Sequence, residues 1–145
     1  MKLALAVLAD AAVANPVDGK MYILGGGFDT LAVQQFPAQV PALALALRVL
    51  VSPSECGRPH KLEVQAVDAD GRPFQPPFAM DVTPPRNPID AGLPTPIQLV
   101  GNFQQLQFAK PDEYAFNVLL DGSEIASLPL RVIQAPPGIG LRPAA

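Results

Sequence analysis

Eighteen prolines divide this chain of 145 residues into short segments. Proline lacks a backbone N–H and fixes φ, so it interrupts helices and is poorly tolerated inside a sheet. The prolines cluster at residues 73–77, 84–88, 94–96 and 136–137, between the regular segments. Long helices are incompatible with this spacing. The chain is therefore predicted to consist of short strands joined by proline-rich loops.

The segments between the proline clusters alternate apolar with small or polar residues. In the clearest of them, Leu62, Val64 and Ala66 alternate with charged or polar neighbours, which is typical of a half-exposed strand. Similar patterns occupy residues 3–7, 21–24, 28–33, 43–51, 78–82, 97–99, 106–108, 114–120 and 128–132. Residues 43–51 are rich in Leu and Ala, which favour helices, but their nine-residue alternation favours a strand. We expect an all-β fold, an antiparallel immunoglobulin-like β-sandwich of about seven to nine strands.

Asp-Gly pairs mark the expected turns. Asp121-Gly122 separates the last two apolar runs, and Asp18-Gly19 lies between the first two, so each predicts a hairpin. The run of glycines at 25–27 predicts a β-bulge that bends one strand between sheets, or a backbone edge bared to a partner. Residues 1–133 are predicted to form one domain. Residues 134–145 carry no period and are predicted to be a flexible tail.

Composition narrows the classes of function. Charged residues make up 16% of the chain, against about a quarter in average proteins, and a weakly charged surface tolerates protein contacts. The net charge is −3 and the basic residues are scattered, so neither nucleic acid nor an anionic membrane surface is an expected partner. No apolar run approaches the roughly 20 residues of a membrane-spanning helix.

The first fourteen residues have two interpretations. Residues 3–9 are apolar and Ala12-Val13-Ala14 offers a small-x-small cleavage site, as in an export signal. The apolar run is short, however, and Asp10 follows it, so an N-terminal strand is favoured. Cys56 is the sole cysteine, which excludes an internal disulfide and suits a reducing compartment. A cytoplasmic location is expected, with export as the alternative if residues 1–14 are a signal peptide.

Two stretches resemble an uncharacterised family of small bacterial all-β proteins. The first combines Ala9-Asp10-Ala11-Ala12 with the segment GKMYILGGGF at residues 19–28, and the second covers residues 57–72. The resemblance implies a retained first strand and a cytoplasmic protein, and it implies no activity. The C-terminal half resembles the final hairpin of immunoglobulin-like sandwiches. There a tyrosine at the start of a late strand hydrogen-bonds back to the chain, and Tyr114 occupies that place.

No group of residues in the sequence indicates catalysis or a cofactor. Cys56 and His60 have the spacing of half a zinc site, but structural zinc needs four such ligands and no second pair exists. His60 is the sole histidine and no nucleophile motif accompanies it, so it is interpreted as the polar start of a strand. Asp68 and Asp70 begin like a calcium loop whose later ligands are missing, which favours a turn. No catalytic, cofactor-binding or metal-binding residue is assigned.

We therefore expect a non-enzymatic interaction or structural module that binds a protein partner, or a second copy of itself, through a sheet face or edge. Leu50, Val100 and Leu119 are candidates for an exposed apolar patch on such a face. The alternative is a sandwich that binds a small ligand or carbohydrate. The absence of Trp and the presence of two Tyr weaken the carbohydrate alternative, because sugar sites usually present aromatic platforms.

Overall fold

A computed structural model describes residues 1–136, which form an all-β fold without an α-helix in that range. The strands are β1 (Lys2–Ala9), β2 (Ala11–Asn15), β3 (Lys20–Leu24), β4 (Thr30–Val33), β5 (Ala38–Val51), β6 (His60–Val67), β7 (Phe78–Val82), β8 (Thr95–Phe108), β9 (Asp112–Leu120) and β10 (Ser123–Gln134). A single 3₁₀ turn at Pro53–Glu55 follows β5. The predicted all-β class is confirmed.

The strands form three sheets. One has the order β1-β5-β8, the second β4-β10-β9-β6-β7, and the third is the β2–β3 hairpin. The first two sheets contribute buried side chains to one shared core, including Leu45 and Phe116. The second sheet is mixed, because β4 runs parallel to β10. The expectation of a purely antiparallel arrangement is wrong here, since period-two alternation carries no information on strand direction.

Strand β5 is buried on both faces. Its leucines at 43, 45 and 47 point into the shared core, while Ala44 and Ala46 lie on the opposite face with no exposed surface. That alanine face is covered by Ala12 and the partly buried Met21 of the hairpin. Small side chains allow a third layer to approach closely, which explains why the alternation in β5 is leucine against alanine. The prediction of a strand at 43–51 is confirmed.

Among residues 1–136, three prolines lie inside strands, at positions where one neighbouring strand is missing. Pro96 is in β8, an edge strand. Pro41 precedes the stretch of β5 that pairs with β1, and Pro129 precedes the stretch of β10 that pairs with β4. The missing N–H of each proline can face the side without a neighbour, which is how sheets accommodate proline.

Both Asp-Gly hairpins form. Asp121 and Gly122 join β9 to β10 with φ of 49° and 84°, the positive values of a type I′ turn. Asp18-Gly19 lies between β2 and β3, and β2 is a strand that the sequence did not predict. The bulge predicted at residues 25–27 is wrong, because these glycines form the loop between β3 and β4. Gly25 has φ 64°, and a Cβ there would overlap the Asp10 carboxylate.

The first strand is part of the folded core, since Leu8 and Ala9 of β1 are buried. At the other end, regular structure extends slightly past residue 133. Gln134 ends β10, and Ala135 is buried and donates its N–H to the carbonyl of Val33 at 2.7 Å. Residues 137–145, the rest of the predicted tail, lie outside the described residues.

Candidate functional site

The outer face of the β2–β3 hairpin carries several exposed apolar side chains. Val13, Tyr22 and Leu24 are 59%, 50% and 70% exposed, and Val17 in the turn is 92% exposed. Val13 pairs directly with Tyr22, and Ala11 with Leu24, so their side chains share one face. The other face of the hairpin packs on the alanines of β5. The hairpin is therefore anchored on one side and open on the other.

The ring of Tyr22 is held by its neighbour in the turn. Its hydroxyl donates a hydrogen bond to the carboxylate of Asp18, which also accepts the N–H of Lys20 at 2.9 Å. These bonds lower the pKa of Asp18, and the bond to Asp18 raises the pKa of Tyr22. Lys20 itself lies at the turn end of the exposed face and has no ion-pair partner among residues 1–136.

A cleft of about 590 Å³ opens beneath the turn end of the hairpin. Arg48, on the outer face of β5, is partly buried and lines it. Within the described part of the chain, no hydrogen bond or ion pair engages the Arg48 side chain. The other described residues that line it come from the turn end of the hairpin, the end of β7, the loop after it and β8: Ala14, Asn15, Pro16, Gly19, Val82, Thr83, Pro84, Pro85, Thr95, Pro96, Ile97 and Gln98.

His60 is buried, at 6% exposure, and begins β6 as predicted. Its Nδ1 lies 2.7 Å from Oδ2 of Asp121 and its Nε2 lies 2.8 Å from the carbonyl oxygen of Glu55. A carbonyl and an ionised carboxylate only accept, so both contacts are satisfied when the ring is the imidazolium and both nitrogens donate. The hydrogen bond to Asp121 is the main cause that raises the pKa of His60. Neither nitrogen is free to act as a base.

The side chains of Cys56 and Glu55 both have close polar neighbours. The Cys56 thiol is buried and lies 3.4 Å from the carbonyl oxygen of Ser52 and 3.6 Å from the hydroxyl of Thr95. The carboxylate of Glu55 accepts hydrogen bonds from the amino group of Met1 at 2.7 and 2.8 Å. This contact, and a second from Ser52, lower the pKa of Glu55 to about 2. The polar neighbours of the thiol are therefore Ser52 and Thr95, and not His60, with which it was compared as half a zinc site.

Asp68 and Asp70, which begin like a calcium loop in the sequence, form a turn, as the sequence favoured. Oδ1 of Asp68 accepts the N–H groups of Asp70 and Arg72, each at 2.9 Å, and Gly71 has φ 77°. Such bonds are those of an Asx turn. Residues 1–136 contain no group of three or more acidic, histidine or cysteine side chains placed to hold a metal ion.

The three residues expected to form an apolar patch do not lie together. Leu50 and Val100 belong to the three-stranded sheet and Leu119 to the five-stranded one. Val100 packs beneath the hairpin, which covers the face on which it lies. Alternation identifies a face of a strand, but it shows neither which strands share a sheet nor whether another layer covers them. The exposed hairpin face was missed, although its alternating apolar residues flank the recognised Asp18-Gly19 turn.

Two packed sheets on one core, with a hairpin layered on the smaller sheet, define an all-β protein. The sequence comparison confirms that the chain belongs to an uncharacterised family. Residues 4–133 match the Family of unknown function (DUF6941), and the chain belongs to that family. No curated protein matches the sequence.

Among solved structures, the chain is similar to the Pseudomonas fluorescens alkylpurine DNA glycosylase AlkC bound to DNA containing an abasic site analog. The identity is 12% and the TM-score 0.43, over 72% of this chain. The chain spans 28% of the length of that protein chain. A likeness at this score supports no conclusion about this protein. Separately, none of the helical structure within residues 1–136 has the length and apolarity needed to cross a membrane.

Proposed function

We propose that this chain is a non-enzymatic interaction module whose β2–β3 hairpin binds an extended segment of a partner protein. The observation that carries the proposal is the exposed apolar row of Val13, Tyr22 and Leu24. Exposed apolar patches on soluble domains commonly mark interaction sites. The inner face of the hairpin already packs on β5, so the outer row is not needed to hold the hairpin in place.

The size of this face favours a short extended segment over a second copy of the chain. Each hairpin strand has five residues, and two adjacent strands of that length cover on the order of 170 Å². A stable interface between two folded proteins needs about 800 Å² from each partner. An extended segment can also add main-chain hydrogen bonds along a free strand edge. Within the described chain, β2 and β3 pair only with each other.

The chemistry of the face specifies the segment further. Apolar side chains at alternate positions of the segment would contact Val13, Tyr22 and Leu24. Lys20 lies beside them without an ion-pair partner in the described structure, so an acidic residue near one end of the segment complements it. The partner we propose is therefore a protein with an exposed, extended segment that is apolar and acidic.

Photo-crosslinking tests this function. A benzophenone amino acid replaces Leu24 in one variant and Ile89, 88% exposed in the loop between β7 and β8, in the matched control. Irradiation of host lysate is expected to give one adduct with another protein from position 24 and none from position 89, with the crosslink mapped to an extended apolar segment. Adding Val13→Ser and Tyr22→Ser should abolish the adduct. Adducts only with a second copy, equal adducts from both positions, or no adduct would refute the proposal.

We further propose that the two large sheets form an immunoglobulin-like sandwich. We also propose that the protein is bacterial, as the resemblance implies. Three features support the immunoglobulin-like assignment: the β10-β9-β6-β7 order, the parallel β4–β10 pair, and the Tyr114 hydroxyl bonded to the carbonyl of Lys110 at 2.7 Å. The last has the form of a tyrosine corner. A cytoplasmic location is proposed with it, and the buried, free thiol of Cys56 suits a reducing compartment.

One observation favours a second candidate function, the binding of a small ligand. The cleft at Arg48 has the volume of typical ligand pockets, which is roughly 300–1,000 Å³. Among the described residues that line it none is aromatic, which disfavours a carbohydrate.

A further inference from the structure

We propose that the cleft at Arg48 is a binding site for a small organic carboxylate. The site lies beneath the hairpin turn, whereas the proposed protein contact uses the opposite, outer face, so the two proposals stand independently. Arg48 is the central residue. It extends from the face of β5 that carries Ala44 and Ala46, at the point where the overlying hairpin ends and the cleft begins.

The charge distribution in the cleft selects an anion. Of the described residues that line it, Arg48 alone carries a charge, although the chain has more acidic than basic residues. The guanidinium has five N–H donors, and within residues 1–136 no acceptor engages them. A partly buried cation without a counter-charge attracts an anionic ligand more strongly than an exposed one, because water screens it less. Asn15, Thr83 and Gln98 add neutral polar groups around it.

The walls of the cleft suit an apolar body attached to the anionic group. Four prolines, at positions 16, 84, 85 and 96, contribute to these walls together with Val82 and Ile97. Proline rings are apolar and conformationally restricted, so the walls are largely formed before a ligand enters. Pockets of this type bury the apolar part of a ligand and orient it through a few polar groups.

A carboxylate fits better than a phosphate. One planar guanidinium matches one carboxylate through two parallel N–H···O bonds. Phosphate sites usually combine several cations with backbone N–H groups, as at the start of a helix or in a nest. Here a single arginine is present and the four prolines of the wall have no N–H to offer. The class of ligand is thus a monocarboxylate with a small apolar body.

An NMR titration tests the assignment. Uniformly ¹⁵N-labelled chain is titrated with acetate, butyrate, benzoate and, separately, inorganic phosphate and neutral benzamide. We expect saturable shifts of the Arg48 Nε–H signal and of the Ala14 and Gln98 amides with butyrate or benzoate, and none with benzamide. Arg48→Gln should weaken binding by about tenfold or more, since a hydrogen bond to a charged group is lost. Arg48→Lys, which keeps the charge without the fork, should fall between.

Arg72→Gln is the matched control. It removes one exposed arginine at the turn after β6, and Arg72 does not line the cleft. It should bind like the unaltered protein. Thermal unfolding of each variant shows whether the fold is retained. The proposal is overturned if no carboxylate gives saturable shifts, if Arg48→Gln binds unchanged while folded, or if phosphate binds more tightly than every carboxylate. The NMR results do not depend on the hairpin crosslink. Failure of the carboxylate site can therefore be distinguished from failure of the proposed protein contact.

Discussion

The imidazole of His60, at the start of β6, lies 2.7 Å from the carboxylate of Asp121, in the turn that joins β9 to β10. The other carboxylate oxygen of Asp121 accepts the N–H of Lys61 at 2.8 Å. The contact therefore connects the C-terminal hairpin to β6 by an ion pair and a backbone bond. The carbonyl of Glu55 satisfies the remaining ring nitrogen.

This ion pair predicts that stability falls as the pH rises above the unfolded pKa of histidine, about 6.5. Hydrogen bonding to Asp121 raises the pKa of His60 in the folded protein. A raised pKa stabilises the fold fully below the unfolded value of about 6.5, and the contribution is lost as pH rises through the folded value. In urea unfolding between pH 5.5 and 9, the contribution of this pair to the free energy of unfolding should be constant up to about pH 6.5 and decrease above it.

Asp121→Asn is the matched variant for this prediction. Asparagine tolerates the positive φ of 49° at this position and can still accept the N–H of Lys61, but it removes the negative charge that favours the imidazolium. The variant should flatten the pH dependence above pH 6 while retaining the hairpin. A variant with the same slope as the unaltered protein would contradict the assigned ion pair.

The alanine face of β5 predicts a second result. Ala46 has no exposed surface and lies between β5 and the hairpin layer. Ala46→Leu should lower the free energy of unfolding by about 1–3 kcal/mol, because extra methyl groups in a packed layer force the layers apart. Amide hydrogen exchange should show protection lost in β2 and β3 before β9.

Ala79→Leu is the control for that overpacking. Ala79 is exposed on the edge strand β7, opposite Glu63, so leucine there should change stability by less than about 0.5 kcal/mol. Equal destabilisation by both substitutions would show that burial under the hairpin is not the cause.

Much of the fold follows from local patterns. Alternation of period two predicts β6 and β9, and Asp121-Gly122 predicts the turn between the last two strands, because these signals depend on near neighbours in the chain. Tyr114 was also expected to hydrogen-bond back to the chain, and its hydroxyl does so. That contact spans four residues, which explains why sequence reasoning could reach it.

The sites depend on contacts between distant residues, and these were not predicted. His60 and Asp121 are 61 residues apart, and they meet only because Leu62 pairs with Leu120 in the register of β6 and β9. Sequence reasoning did not single out Arg48 as a site residue. Its cleft requires the hairpin to end above it, and alternation in β5 cannot show which segment covers the strand.

The buried hydroxyl of Tyr114 provides a third prediction. Tyr114→Phe keeps the ring contacts with Phe74 and Phe108, at 4.9 and 4.8 Å between centroids, and removes only the bond to the carbonyl of Lys110. The free energy of unfolding should fall by about 0.5–1.5 kcal/mol. Tyr22→Phe, at a half-exposed ring, is the control and should change it by less than about 0.5 kcal/mol. A smaller loss for Tyr114→Phe than for the control would contradict the structural role.

Gly122 provides the last prediction, because it has φ 84° in the turn after β9. Gly122→Ala should lower the free energy of unfolding by about 1–2 kcal/mol, since a Cβ is strained in the left-handed region. Nothing lies within 4 Å of that Cβ, so the cost comes from the backbone alone. Gly101→Ala, without a positive φ and with its Cβ 3.9 Å from the Phe103 ring, should be neutral or slightly stabilising. Urea unfolding of both variants measures the difference, and equal effects would mean that the turn conformation is not what requires glycine at residue 122.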